Sequence, residues 1–153
     1  MNIKMENDIE KLREEIKALK LPHEITASLP PPCFEEMDGK FERYVHRKSL
    51  TASYLAKPHY TNPMGSMQGG FITAAFDNTF GPLSLVTTRT ATVSIDLNTQ
   101  YMRPVKIGQR LTVTAEVILR GFSSIYLTAQ AFSEAGKLVA TASTNMHIIR
   151  IQD

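Results

Sequence analysis

Near the middle of the chain, Asn62-Pro63-Met64-Gly65-Ser66-Met67-Gln68-Gly69-Gly70 leads into an apolar stretch with one carboxylate, Asp77. Adjacent glycines at a helix start let a ligand approach the backbone, and the unpaired N–H groups of a first turn point outward with the positive end of the dipole behind them. Such a cradle holds an oxyanion. A carbonyl developing negative charge, such as that of a thioester, is stabilised there, while the Gln68 amide hydrogen-bonds the same group or orients water. Tight-turn geometry is the competing use of a Gly-Gly pair. A carboxylate inside an apolar helix is costly to bury ionised. Asp77 is therefore paired or used, or else its side chain reaches solvent or makes a structural hydrogen bond.

Gly69 and Asp77 are eight residues apart, about 12 Å along a helix axis. One chain cannot easily set both on one small reacting group. Two such helices lying antiparallel across a two-fold axis bring Gly69 of one chain near Asp77 of the other, a geometry the sequence permits without demanding it.

The elements that must position these residues follow from hydropathic period. From Met67 to Val86, Phe71, Ile72, Ala74, Ala75, Phe76, Phe80, Leu83 and Leu85 occupy nearly every side of a helical wheel, which predicts a buried helix. Gly81-Pro82 predicts a kink or an early end, because Pro82 cannot donate to the Asn78 carbonyl. Lys40 to Leu55 is rich in aromatic and β-branched residues and is expected to begin a sheet. Val93, Ile95 and Leu97 alternate with Ser94, Asp96 and Asn98, the period of a strand with one buried face. Leu111 to Leu119, Ile125 to Ala129 and Leu138 to Ile149 continue as strands, with turns at Gly121 and Gly136-Lys137, and together read as an antiparallel meander. The expected class is α+β, a curved antiparallel sheet wrapped around a long central helix. Upstream, Ile9, Leu12, Ile16 and Leu19 make the narrow stripe of an amphipathic helix that Pro22 stops, and Leu21 to Asp38 reads as an irregular arm. The organisation is residues 1–38 as helix and arm, then 39–153 as the main domain.

Seventeen basic against fifteen acidic residues leave a net charge of +2, too little for a nucleic-acid or anionic-lipid footprint. No apolar run approaches a spanning helix, and the charged N-terminus does not resemble a signal peptide, so a cytoplasmic protein is expected. Cys33 is the only cysteine. It excludes an intrachain disulfide and a multi-cysteine zinc site, and its expected role is a small apolar filler. His23, His46, His59 and His147 have no metal-ligand spacing, so no metal and no separate cofactor are implied. His59 is near the cradle's rim in sequence and is expected to be solvated or structural.

Asn62-x-x-Gly65-x-x-Gln68-Gly69-Gly70, then Asp77-Asn78, Val93-Ser94-Ile95-Asp96-Leu97-Asn98 and Tyr101-Met102-Arg103-Pro104-Val105-x-x-Gly108 resemble the hotdog-fold acyl-CoA thioesterases of the phenylacetate-pathway, PaaI-like type. The likeness runs from about Leu50 to Ile149. It implies a helix wrapped by an antiparallel sheet, two subunits joined into one continuous sheet as a homodimer, and frequently a dimer of dimers. It also implies that Asp77 acts as nucleophile or general base on the thioester of an acyl-CoA. Gly69 then supplies the oxyanion N–H, Asn62 orients water or the carboxylate, and Ser94 lies near the carboxylate. Many relatives carry His where this chain has Gln68, which donates a hydrogen bond but shuttles no proton near neutral pH. That argues against the hotdog dehydratases, which need a catalytic His. Gly70 belongs to the substrate cradle, and Arg103, Lys106 and Arg120, at or beyond strand ends, are candidate contacts for CoA phosphates. Residues 1–38 share none of these motifs, and their apolar stripe packs on the sheet, covers an acyl tunnel or joins dimers. The competing function is a noncatalytic acyl-CoA binding or sensing module. A DNA-binding repressor is its least favoured form, because the chain has no basic stripe.

Overall fold

The computed structural model describes residues 3–150, with side chains from Ile9 onward. Helix α1 (Ile3–Lys17) is followed by two short helices, α2 (His23–Thr26) and α3 (Pro32–Glu36). The expected irregular arm thus contains two single turns of helix, each entered from a proline with no side-chain cap. Too short to show a period, they escape a pattern read over longer windows.

Strands β1 (Lys40–Val45) and β2 (Ser49–Leu55) form a hairpin, where the sequence suggested one strand from Lys40 to Leu55. The turn contains Arg47 in the left-handed region at φ 51°, a position usually marked by Gly or Asn. After β2 come α4 (Gly69–Thr88), β3 (Thr92–Tyr101), β4 (Arg110–Arg120), β5 (Ser124–Phe132) and β6 (Leu138–Ile148). All neighbouring pairs are antiparallel, in the order β1-β2-β4-β5-β6-β3. Only β4, β5 and β6 form a meander. The expected β3–β4 hairpin does not exist, since β3 crosses the molecule and pairs with β6, becoming the far edge of the sheet.

Helix α4 lies against the sheet's inner face, where Tyr54, Phe76, Phe80, Leu83, Leu111, Ile125 and Leu127 are fully buried. It starts two residues later than its hydropathy suggests and runs through Pro82 to Thr88 without the expected early end. Burial on the sheet outweighs the one hydrogen bond that Pro82 cannot make. Thr79, Thr87 and Thr88 donate their hydroxyls to the carbonyls four residues back, at 2.8, 2.7 and 2.9 Å, so their burial leaves no orphan donor.

The N-terminal segment joins the same core. Leu12 is fully buried, with Ile9 and Ile16 packed beside it, and Phe34 and Met37 belong to the same cluster. Glu15 fastens α1 to β1 by accepting from the Tyr44 hydroxyl at 2.6 Å and by facing His46 Nδ1 at 2.6 Å. Arg110 locks the end of the arm: its guanidinium donates to the Asp38 carboxylate and carbonyl, each at 2.6 Å, and to the Ser53 carbonyl at 3.0 Å. Cys33 is exposed rather than an apolar filler, and its thiol donates to Asn78 Oδ1 at 3.2 Å.

Candidate active site

The loop before α4 is built to present the helix's first turn. Asn62 Oδ1 accepts from the amides of Met64 and Ser66 at 2.9 and 3.1 Å, and Asn62 Nδ2 faces Ser66 Oγ at 3.2 Å. Gly65 completes the turn at φ 81°, a conformation that L side chains rarely adopt. The Met67 amide then donates to Val105 and the Gln68 amide to Tyr60, at 2.9 and 2.8 Å. Gln68 is the N-cap, but its exposed side chain makes no capping bond. Among the described residues, no backbone carbonyl accepts from the Gly69 or Gly70 amide. Both N–H groups remain available at the positive end of α4.

A side chain that sequence reasoning left without a role closes one side of this turn. A Cβ added at Gly69 meets the Tyr101 ring at 3.0 Å, whereas one at Gly70 meets nothing within 4 Å. The Tyr101 hydroxyl lies 2.5 Å from Thr73 Oγ1, which also bonds Thr99 Oγ1 at 3.0 Å. Gly69 thus accommodates an aromatic ring, and Gly70 faces open space. Tyr101 stood within the resemblance motif, but nothing in its spacing shows that it folds over a glycine 32 positions earlier.

Asp77 does not lie buried among apolar groups. Helix α4 has one uncovered face, on which Gly70 and Asp77 are exposed and Thr73 and Ala74 are half-buried. The only hydrogen bond to the Asp77 carboxylate among the described residues comes from Ser94 Oγ to Oδ1 at 3.2 Å. An irregularity in the β3–β6 pairing between Ser94 and Asp96 accompanies this placement. It also breaks the expected alternation, so Val93 and Ile95 are 49% and 62% exposed in the protomer instead of buried.

The cations are divided between the ends of β3. Arg103 and Lys106 follow Tyr101, near the Gly69 loop; Lys106 bridges to Ser66, and Arg103 donates to the Leu138 carbonyl at 2.6 Å. Arg120 pairs with Ile125, which pairs with Met146 and so aligns with Ser94 at the Asp77 end. The candidate set is therefore split, with Asn62, Gln68, Gly69, Gly70, Arg103 and Lys106 at one end and Asp77, Ser94 and Arg120 at the other.

A further cluster centres on Glu36, which accepts from the Tyr60 hydroxyl, faces His59 Nε2 at 3.0 Å and bonds Lys57. The Tyr60 hydroxyl, then His59 and Lys57, hold the Glu36 carboxyl below its ordinary value. Tyr60 stacks on Phe71 at 4.1 Å, so the cluster steadies the turn whose carbonyl receives Gln68. His59 is structural here. None of the described His, Cys, Asp and Glu side chains group as a metal site.

Beside Asp77 and Ser94 opens a groove of about 1070 Å³, running under the N-terminal arm past Gly81, Pro82 and Leu85. A second hollow of about 490 Å³ lies on the sheet, lined mainly by Thr, Gln and Asn side chains, and contains none of the candidate residues. Among the described residues, no helix is long and apolar enough to cross a membrane.

The sequence pattern of the thioesterase superfamily matches residues 64–140. Human acyl-coenzyme A thioesterase 13 is 36% identical over 121 residues, covering 71% of this chain and 84% of the relative. The Escherichia coli PaaI protein from the phenylacetic acid degradation operon superposes with a TM-score of 0.77 at 18% identity, covering 91% and 96% of the two chains. A hypothetical thioesterase from Streptococcus pneumoniae, solved with coenzyme A, superposes at 0.69 and 16% identity, covering 75% and 88%. These likenesses match the curved antiparallel sheet and long central helix expected from sequence, the hotdog architecture.

Proposed function

The chain belongs to the thioesterase superfamily and is a thioester hydrolase, and we propose that it cleaves acyl-CoA to the free acid and CoA with Asp77 as nucleophile or general base. One observation carries the reading: Asp77 is the carboxylate on the open face of α4, oriented by Ser94 at 3.2 Å and lining the groove. As nucleophile it attacks the thioester carbon and expels the CoA thiolate, leaving an anhydride that water hydrolyses. As base it takes the proton from an attacking water, the C–S bond breaks, and the thiolate leaves as the thiol. The Gly69 N–H stabilises the oxyanion in either route. Gln68 donates to the same oxygen or to water, Asn62 holds the loop that aims them, and Gly70 leaves room for the thioester. Arg103, Lys106 and Arg120 take the CoA phosphates. CoA is part of the substrate, and no separate cofactor enters.

The site belongs to a homodimer. The edge strand β3 is ten residues long, with exposed apolar groups and, among the described residues, no pairing partner on its outer side. Such an edge is a template for another strand. An antiparallel β3–β3 pairing aligns the Tyr101 end of one copy with the Ser94 end of the other, joining Gly69, Arg103 and Lys106 to the partner's Asp77 and Arg120. A dimer of two such dimers is the expected full assembly, in the cytoplasm.

Thiol release over short, medium, long and aryl acyl-CoAs tests the chemistry. Asp77→Asn is expected to lower turnover by about 10²- to 10⁴-fold, the usual contribution of such a group, with the fold retained. Binding of acyl-CoA without turnover of any chain length would instead identify a sensing module.

A further inference from the structure

Building on the acyl-CoA reading above, we propose that the N-terminal arm forms the outer wall of the acyl site, and that Ile25 and Leu29 set the length of chain accepted. The groove is lined mostly by apolar residues, with Asp77 and Ser94 among its polar ones. Asp77 and Ser94 line it where α4 meets β3, and Gly81, Pro82 and Leu85 continue it along the helix. Ile25, Leu29 and Pro31 of the arm and Phe34 of α3 line the same groove. The cations around it, Arg13, Lys17 and Lys40, are exposed, so their charged heads stand in water and their stems add apolar cover.

Occupancy by the acyl group follows from continuity with the reacting carboxylate. A thioester carbon held at Asp77 has its acyl tail directed either into solvent or into this apolar channel, and burial favours the channel by about fourfold per methylene. Asp77 to Leu85 spans eight residues, about 12 Å of helix. An extended chain advances roughly 1.2 Å per bond, so the channel accommodates about ten carbons. The groove's 1070 Å³ lies just above the usual range for small-molecule sites. The substrate class is therefore a medium-chain acyl-CoA. Leu29 and Ile25 are half-buried on this wall and come from a segment outside the sheet, so they narrow the channel without touching the reacting groups.

Two variants test the assignment, each read as the ratio of kcat/KM for decanoyl-CoA to that for butyryl-CoA in one preparation. A Cβ at Gly81 meets nothing within 4 Å beyond its chain neighbours, so Gly81→Leu extends a side chain into the channel, and its urea midpoint, measured beside wild type, shows whether the helix tolerates a side chain before Pro82. The double change Ile25→Ser with Leu29→Ser makes the arm's wall polar. Each is expected to lower the ratio at least tenfold. An unchanged ratio in both overturns the proposal; a change with Gly81→Leu alone overturns the role of the arm. Binding supplies a readout independent of turnover. The chain has no tryptophan, so Leu29→Trp introduces a single reporter, expected to shift to the blue with the S-decyl-CoA thioether and not with CoA. If wild-type protein cleaves no acyl-CoA, the hydrolase reading fails while this shift still decides the groove. Absence of the shift overturns the groove as the acyl site.

Discussion

Pairing an inactive Gly69→Val subunit with an inactive Asp77→Asn subunit measures whether one site draws on two chains. Valine at position 69 directs its Cβ at the Tyr101 ring, 3.0 Å away, and its two methyl groups then displace the ring or the first turn of α4. Asparagine at position 77 keeps the Ser94 contact and removes the charge. Each homodimer carries the same lesion in both sites and is inactive. In a hybrid, one site combines intact Gly69 from the Asp77→Asn chain with intact Asp77 from the Gly69→Val chain, while the other site collects both lesions. Random exchange makes about half of all dimers hybrid, each with one working site of two, so mixing restores about a quarter of wild-type activity under two-fold symmetry. Thiol release is followed after exchange, with hybrid formation verified by native mass measurement. No recovery in the presence of hybrids refutes the shared site, because sites built within single chains would each retain one lesion.

Three further outcomes are expected. Ser94→Ala removes the hydrogen bond to Asp77 and lowers kcat about two- to tenfold, the effect of one such bond; an unchanged kcat removes Ser94 from the mechanism. Leu12→Ala empties a fully buried position under α1 and costs about 2–5 kcal/mol, read from the urea midpoint; a cost near zero would mean that α1 is not packed in solution. The guanidinium of Arg110 holds the Asp38 carboxyl below its ordinary value of 3.8. The folded state binds that proton less readily than the unfolded chain, so stability present above this value is lost as the pH falls from it through the lower value of the folded carboxyl. The thermal midpoint of wild type is expected to drop between about pH 5 and 2 more steeply than that of Asp38→Asn, and parallel profiles would discount the ion pair.

Long periodic elements were legible because many residues repeat one message. Leu111, Val113 and Ala115 on β4, and Ile125, Leu127 and Ala129 on β5, alternate inward. The apolar density of α4 identified the central helix. What failed was information carried by one residue or by distant pairing. Arg47 makes a turn without Gly or Asn, which hid the β1–β2 hairpin. No local signal says that β3 passes β4 to join β6, so adjacency in sequence was mistaken for adjacency in space. Ser94 was placed near the carboxylate by resemblance alone, since the bulge that turns it there leaves no mark in the hydropathic period. Asp77 was left between a paired or used carboxylate and one that reaches solvent, because the open face that exposes it is defined by elements from both sides of the chain.

The crossing of β3 to the far edge also governs when this molecule becomes whole. Its partners in β6 lie from 56 residues away, Thr92 with Ile148, down to 39, Tyr101 with Ala140. Strand β6 is also the neighbour of β5, so the same late segment joins both sides of the sheet. Contacts of such separation slow folding, because loop-closure entropy is lost before the pairing returns it. During synthesis, α4 and β3 emerge well before the strand that holds Ser94 opposite Asp77. Until residues 138–148 arrive, the central helix lacks part of its sheet and Asp77 lacks the support for its partner strand, so the proposed site is complete only once β6 has joined the sheet.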